Sequence, residues 1–366
     1  MIESRLTRNR NFFCFLSFVL FLGFFSIGSA SAATESSESA AFDPKELIMH
    51  HVADAHEFHI LGEGDRSVSL PLPIILWTDQ GLVTFLSSEF HHDDQGKHVV
   101  EKNGVKLLKY HEKIYYADEN GALQLDSEGH PLNAKPWDFS ITKNVFSLFL
   151  SAILLLLIFI PVASSYKRNQ GIPRGLSGFM EPLVVYVRDE IARPNIGEKK
   201  YLKYMPYLLT AFFFIWINNL IGLIPFFPFS ANLTGNIAFT LTLAMFTAVI
   251  TNFSGTKSYW GHIFKPAVPS WLYIIMIPVE LIGVISKPFA LMIRLFANIT
   301  AGHIIILSLI SLIFIFKTIL IAPVSIGFVL FINTIELLVA ALQAFIFTLL
   351  SALFIGMAVE EHDEHH

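Results

Sequence analysis

Cysteine is almost absent from this chain: its 366 residues include one, Cys14. Because Cys14 lies in a segment that we expect to be removed, the mature chain offers no disulfide, thiol nucleophile or cysteine metal site. Charged residues are also scarce, at 15% of the chain, whereas 53% of the residues are hydrophobic. A phosphate-binding loop of the Gly-x4-Gly-Lys-Ser/Thr type is missing as well. These deficits exclude an ordinary soluble protein and a nucleotide site built on that loop.

Long apolar runs take the place of charge, and several are sufficient to cross the ~30 Å hydrocarbon core of a bilayer. We therefore predict an all-α polytopic membrane protein with two long tilted C-terminal membrane helices. A small N-terminal extracytoplasmic domain, partly β, should precede them. We expect the lipid bilayer as surroundings and no cofactor, metal or nucleic acid.

The first 32 residues have the features of a secretory signal peptide. Arg5, Arg8 and Arg10 precede an apolar stretch over residues 11–28, and residues 29–32 are small enough for cleavage. A retained anchor helix is the alternative. In either case, residues 33–140 should lie outside the cytoplasm.

Residues 33–140 form a polar region that holds nine of the fourteen histidines. Residues 114–116 resemble a short strand before the turn residues 118–121. Residues 56–59 and 91–94 combine histidine with acidic side chains, but their spacing fits no strong metal-site template. We expect solvated surface histidines there rather than a metal centre.

Residues 141–366 should form the membrane domain. Apolar spans are predicted over residues 145–163, 205–229 and 236–253, and longer apolar segments cover residues 269–316 and 321–359. As helices, the longer segments would measure ~70 Å and nearly ~60 Å. Since neither contains a charged loop, we predict one long tilted helix from each rather than two spans, with their connection near residues 317–323.

Loop charges orient the chain in the membrane. The loop over residues 164–204 carries eight basic and four acidic residues, which places it in the cytoplasm. Part of this loop could form an amphipathic helix on the membrane surface. The N-terminal domain is then outside the cytoplasm and the C-terminus inside.

Arg294 lies deep in the first long segment. Its guanidinium stays charged and costs roughly 3 kcal/mol at mid-bilayer on insertion scales. Snorkelling, or pairing with a structural acid, is the alternative to a function for this charge. The two segments also carry the ionisable or amide side chains Glu280, Lys287, Asn298, His303, Asn333, Glu336 and Gln343. Glu280 and Lys287 could form an interfacial pair.

One antiparallel register brings Arg294 opposite Gln343 and His303 opposite Glu336, with a turn near residue 319. No acid in either helix is then placed to neutralise Arg294, so its partner should be on another chain. His303 and Glu336 can both titrate and lie toward the outside, whereas Glu280 lies toward the cytoplasm. This arrangement suggests two half-channels separated by a fixed cation. Purely structural hydrogen bonding among these side chains stays open.

Three groups of residues carry a family resemblance. The first combines Ser-Lys-Pro at 286–288, Arg-Leu-Phe-Ala-Asn at 294–298 and Ala-Gly-His at 301–303. The second is Leu-Gln-Ala-Phe-Ile-Phe at 342–347, and the third is Asn-Leu-Ile-Gly-Leu-Ile-Pro at 219–225. Together they resemble subunit a of F-type ATP synthases, over roughly residues 143–361. The resemblance implies a non-catalytic, proton-translocating subunit whose Arg294 faces the essential carboxylate of a rotating c-ring. Many members have an acid at position 303 and a histidine at position 336, the reverse of this chain.

The same resemblance implies partners and location. The partners would be c-ring proteolipid subunits, the b subunits of the peripheral stalk and, through the complex, the F1 sector, in a bacterial inner membrane. We assign proton translocation to Arg294, Asn298, His303, Glu336, Gln343 and Glu280.

Two other functions stay open from the sequence. A secondary transporter could use Arg294 to bind an anionic substrate, although no repeated halves are visible. A haem protein would need pairs of intramembrane histidines, and only His303 is clearly deep in a span.

Overall fold

The computed structural model describes residues 54–61, 68–118, 120–127, 129–224, 231–266, 268–316 and 318–360. The predicted signal peptide, the end of the predicted second span and the acidic C-terminal tail lie outside these residues. Within them, an N-terminal β domain precedes a helical membrane domain.

The β domain contains three antiparallel sheets. Its strands are β1 (Glu57–Leu61), β2 (Val68–Pro71), β3 (Pro73–Thr78), β4 (Gly81–Leu86), β5 (Val100–Lys102), β6 (Val105–Tyr110), β7 (Lys113–Tyr116) and β8 (Trp137–Asp138). β1 pairs with β2, β3 lies between β4 and β8, and β6 lies between β5 and β7. The predicted strand at residues 114–116 is part of β7, so the partly β character of this region is confirmed.

Two-residue turns connect β5 to β6 and β6 to β7. Asn103 and Gly104 have φ values of 51° and 78°, as a type I′ hairpin turn requires. His111 and Glu112 occupy the second turn with φ values of 47° and 57°. A left-handed backbone is unfavourable for side chains of this size, so contacts around the second turn must hold it.

Alternation of apolar and polar residues builds the core of the β domain. Ile74 and Leu76 of β3, Val83 of β4 and Leu107 of β6 are buried in one cluster with Phe90. Successive strand residues point to opposite faces of a sheet. The strands β3, β4 and β6 therefore send every second side chain into this core.

The β domain is joined directly to the first helix of the membrane domain, which begins at Lys143. The carboxylate of Asp54 accepts hydrogen bonds from the Thr142 hydroxyl (3.0 Å) and from the backbone N–H of Asn144 (3.1 Å). An acidic side chain at a helix N-terminus satisfies free N–H groups and complements the helix dipole. These bonds fix the β domain to the start of the helix.

In the part that the structure describes, the membrane domain contains helices and connecting loops but no strand. Its helices are α1 (Lys143–Arg168), α2 (Leu176–Tyr186), α3 (Arg193–Ile196), α4 (Tyr201–Gly222), α5 (Ile237–Ser254), α6 (Lys257–Phe264), α7 (Tyr273–Phe316) and α8 (Ala322–Val359), with a π-helical turn (Val187–Ala192) between α2 and α3. Five of them, α1, α4, α5, α7 and α8, are long and apolar enough to cross a membrane. The chain is thus an all-α polytopic membrane protein with a small β domain, as predicted.

Each of the two long apolar segments forms a single helix, as predicted. α7 has 44 residues and α8 has 38, which correspond to ~66 Å and ~57 Å. Since the hydrocarbon core is ~30 Å thick, neither helix can stand upright within it. Pro278 and Pro288 lie inside α7 without ending it. A short 3-10 turn, Ile319–Ile321, connects the pair where the sequence predicts the connection.

The expectation of solvated surface histidines is wrong for His56, whose side chain is 3% exposed. Its Nε2 lies 2.9 Å from Asp138 Oδ2, and its Nδ1 lies 3.9 Å from Glu112 Oε2. Sequence spacing could not reveal this, because the two acids are 82 and 56 positions away. His91 and His92 are exposed, as expected. Among the described residues, no three His, Cys, Asp or Glu side chains are grouped as metal ligands would be.

Candidate functional site

Arg294 is exposed on the surface of α7. Leu291 and Leu295, on another side of the helix, are buried in the core where α4, α7 and α8 meet, and Ile299 on the same side is also buried. Packing of this apolar stripe turns the guanidinium away from the core of its own chain. Within the part of the chain that the structure describes, no hydrogen bond or ion pair reaches Arg294.

Small side chains surround Arg294 on the same surface. Ala290, Ala297 and Ala301 are exposed there, at the three- and four-residue spacings that share a helix face. Asn298 is also exposed on this face and has no hydrogen bond to any described residue. Small residues on a membrane helix let another helix approach closely. This face of α7 is therefore suited to contact with a helix of another chain.

Two contacts set the register of α7 against α8. One carboxylate oxygen of Glu336 lies against Gly302, where a Cβ atom would collide with it. The Ser325 hydroxyl donates a hydrogen bond to the carbonyl oxygen of Leu309. The first contact matches the register that the spacing of polar residues predicts, and the second is displaced from it by about one helical turn. The predicted antiparallel hairpin is confirmed.

Gln343 is level with Arg294 on this register, but the two side chains differ in environment. Gln343 is buried, whereas Arg294 is exposed, and no hydrogen bond joins them among the described side chains. One turn away, Asn219 of α4 donates a hydrogen bond to the carbonyl oxygen of Ala340, 3.2 Å. Arg294 and Gln343 thus lie at the same level along the two helices, as predicted, but their side chains are not hydrogen-bonded to each other.

His303 and Glu336 are also close in register. No hydrogen bond or ion pair joins them in the described part of the chain, so the predicted contact is wrong. Glu336 is buried, and its Oε2 has no hydrogen-bond partner. The reason is the glycine before His303: it lets the carboxylate approach the α7 backbone instead of the imidazole.

Glu280, near the other end of α7, lies beside a histidine that sequence reasoning did not select. Its Oε1 is 3.9 Å from Nδ1 of His262 on α6. Lys287 does not pair with Glu280, and its ammonium lies 5.7 Å from the centre of the Phe354 ring. The two ionisable groups that the sequence placed together therefore contact different helices.

A small polar cavity, partly open to its surroundings, lies between α5, α6, α7 and α8. It is lined by Thr247, Ala248, Thr251, Asn252, Tyr259, Val284, Lys287, Pro288 and Phe354. Five of these nine residues are polar, and Tyr259 donates a 3.4 Å hydrogen bond to the Asn252 side chain. The hydroxyl of Thr251 is buried without a hydrogen-bond partner. Polar groups that converge on a cavity can hold water.

Thr247, which lines this cavity, is also the centre of a chain of hydroxyl groups. The Tyr207 and Thr247 hydroxyls are 2.6 Å apart, and the Thr247 and Ser351 hydroxyls are 3.2 Å apart. These residues were not predicted from the sequence. A usable signal was the spacing of Thr240, Thr247 and Thr251, which places three hydroxyls on one buried face of a membrane helix.

Residues 145–356 match the family described as ATP synthase A chain. This match includes nearly all of the five membrane-crossing helices and every residue of the predicted site. The chain belongs to the ATP synthase A chain family. Residues 47–139 match a second family, described as a domain of unknown function, DUF8433. That match corresponds to the β domain.

Relatives named ATP synthase subunit a come from several bacteria. The chain is 52% identical over 237 residues to ATP synthase subunit a of Chloroherpeton thalassium, and the match covers 63% of this chain and 69% of the relative. It is 50% identical over 244 residues to ATP synthase subunit a 2 of Chlorobaculum tepidum, and this match covers 64% of this chain and 67% of the relative. It is 42% identical over 291 residues to a relative from Chlorobium phaeobacteroides (strain DSM 266), covering 76% and 82%. The third match is longer than the membrane domain, so it extends into the residues before α1.

Proposed function

We propose that this chain is the proton-translocating subunit of a rotary ATP synthase and that Arg294 faces the ion-binding carboxylate of a c-ring. The observation that carries this proposal is the exposed, unpaired guanidinium on α7. Such a charge in a bilayer costs roughly 3 kcal/mol. A carboxylate on another chain would offset this cost, and the surrounding alanines give a ring helix room to approach.

The chemistry follows from one fixed charge. A protonated ring carboxyl is neutral and can face lipid. Beside Arg294, the positive charge favours the ionised carboxylate, so the proton leaves. The guanidinium itself cannot release a proton and repels other cations. Protons therefore cannot pass directly between the two sides of the membrane and must move with the ring.

His303, Glu336 and Asn298 belong to the outer half-channel in this proposal. The Oε2 atom of Glu336 is buried without a protein partner, and a buried polar atom of this kind calls for a water or proton donor. Since Glu336 does not contact His303, we infer that water carries the proton between them. Gln343 is buried at the same level as Arg294 and forms the inner end of this outer half-channel, toward the middle of the membrane.

The inner half-channel uses the polar cavity in this proposal. Glu280 with His262 would form its mouth, and Lys287 with the cavity hydroxyls would line its wall. The hydrogen-bonded hydroxyls of Tyr207 and Thr247 continue the polar lining. Hydroxyl groups both donate and accept hydrogen bonds, so such a lining can order water.

The remaining parts of the proposal concern assembly. The partners are c-ring subunits, the b subunits of the peripheral stalk and the F1 sector through the complex. The β domain lies outside the cytoplasm and the C-terminus inside, in a bacterial inner membrane. The chain has no catalytic role of its own, and ATP is made elsewhere in the complex.

Replacement of Arg294 tests the proposal. Arg294→Gln should abolish ATP-driven proton pumping in inverted membrane vesicles, while the chain still inserts and co-purifies with the ring. Arg294→Lys should also fail to support normal pumping, because a desolvated lysine can lose its proton. Normal pumping by Arg294→Gln would refute the role of the arginine.

Lys265→Gln is the matched control. It removes an exposed cation just after α6, so it changes net charge by the same amount without touching α7. This variant should pump like the wild type. Failure of the wild-type chain to co-purify with a ring-forming proteolipid in mild detergent would refute the assignment to the complex.

A further inference from the structure

One sheet of the β domain has an exposed apolar face. Trp77, Leu82, Leu86, Trp137 and Phe139 are between 48% and 74% exposed. Trp77 pairs across the strands with Leu82 on one side and with Trp137 on the other. These five residues are called the aromatic sheet face below.

A sheet with one face in a core usually presents polar residues on the other face. The sheet β5–β6–β7 of the same domain follows this rule, since its exposed positions include Glu101, Lys106 and Lys113. The aromatic sheet face breaks the rule, although the inner face of the same strands is already buried. Contiguous exposed apolar surface of this kind marks an interaction site.

The position of the sheet next to α1 indicates what covers this face. Phe139 and Ile141 extend β8 beyond its last paired residue, because their N–H groups donate to the carbonyl oxygens of Ile75 (2.9 Å) and Pro73 (3.0 Å). The sheet thus continues to within two residues of Lys143, where α1 begins. At ~3.3 Å per residue, Phe139 lies at most ~13 Å from that point along the chain. The aromatic sheet face is continuous in sequence and in sheet hydrogen bonding with a helix that crosses the bilayer.

We propose that the aromatic sheet face lies on the lipid headgroup layer of the leaflet where α1 begins. Tryptophan is the residue type that membrane interfaces favour, because its ring is apolar and its N–H can reach polar groups. The five side chains of the face carry no charge that would have to be desolvated. Lipid contact also continues along α1, whose exposed residues include Phe149 and Ile153.

Photo-cross-linking in the membrane-assembled complex tests this proposal. The variants Trp77→p-benzoylphenylalanine and Trp137→p-benzoylphenylalanine keep an aromatic side chain at the same surface position. Glu101→p-benzoylphenylalanine is the control, since Glu101 is exposed on the other sheet. After illumination, mass spectrometry should find lipid adducts at 77 and 137 and none at 101.

Other outcomes overturn the proposal. An adduct with another subunit, a second copy or residues 1–53 of this chain would show that protein covers the face. No adduct at 77 and 137 would show that the face is open to water. A spin label at position 137, in a Trp137→Cys variant with Cys14→Ser, gives an independent measure. It should collide more often with oxygen than with a water-soluble nickel complex, and the reverse order would also overturn the proposal.

Discussion

The buried ion cluster around His56 makes the stability of the β domain depend on pH. His56 contacts Asp138 and Glu112, and Lys109 lies 3.6 Å from the Glu112 carboxylate. Burial alone would lower the pKa of His56, but the two carboxylates outweigh it and raise this pKa from 6.5 to about 9. Burial would raise the pKa of Glu112, but His56 and Lys109 outweigh it and lower this pKa from 4.5 to about 2.

Linkage converts these shifts into free energy of unfolding. Each pKa unit is worth about 1.4 kcal/mol, so the shift of His56 corresponds to about 3 kcal/mol. Because the pKa of folded His56 is raised, this contribution is complete below pH 6.5 and is lost as pH rises through about 9. The contribution of Glu112 is complete above pH 4.5 and is lost as pH falls toward about 2. The two contributions describe one interaction between His56 and Glu112, so their free energies are not added. Both are complete only between pH 4.5 and 6.5, where the domain should be most stable.

Hydrogen exchange of the full chain in mild detergent measures this effect. After correction for the intrinsic exchange rate, the opening free energy of peptides covering β6 and β7 should fall by up to about 3 kcal/mol between pH 6 and pH 10. In His56→Gln, which carries no titrating group, the opening free energy should be lower at pH 6 and lack this fall. His130→Gln, which replaces an exposed histidine, should keep the wild-type profile. A flat wild-type profile, or an unchanged slope in His56→Gln, would refute the reasoning.

Further predictions concern packing and proton flux. Gly356→Ala should destabilise the chain by about 1–3 kcal/mol, because its Cβ would meet the backbone of Asn195 in α3. An unchanged melting temperature in detergent would contradict this. Gly302→Ala should displace the Glu336 carboxylate and slow passive proton flux. Gly283→Ala is the control and should not slow the flux, because the space around its Cβ position is open. Equal fluxes in the two variants would show that Glu336 is not part of the outer path. Thr247→Val removes the central hydroxyl of the buried chain, and flux at the wild-type rate in vesicles would show that the hydroxyl is dispensable.

The sequence by itself determined the helical membrane fold. Length and apolarity locate spans because the thickness of the bilayer is fixed, and the predicted spans correspond to helices in the structure. The two long helices and their connection were also predictable, since no charge or turn cluster interrupts either segment. The register of the two long helices was also predictable. Because the rise per residue is constant, residue numbers give the height of each polar residue along an antiparallel hairpin.

Side-chain contacts were decided by the tertiary structure alone. Register places His303 level with Glu336, but the space left by Gly302 decides that the carboxylate meets backbone instead of imidazole. The polar cavity forms where side chains from α5, α6, α7 and α8 come together, and sequence spacing did not predict which residues line it. His56 is buried by acids far along the chain. Periodicity and length are local properties of a sequence, whereas burial and contact depend on which distant segments pack together.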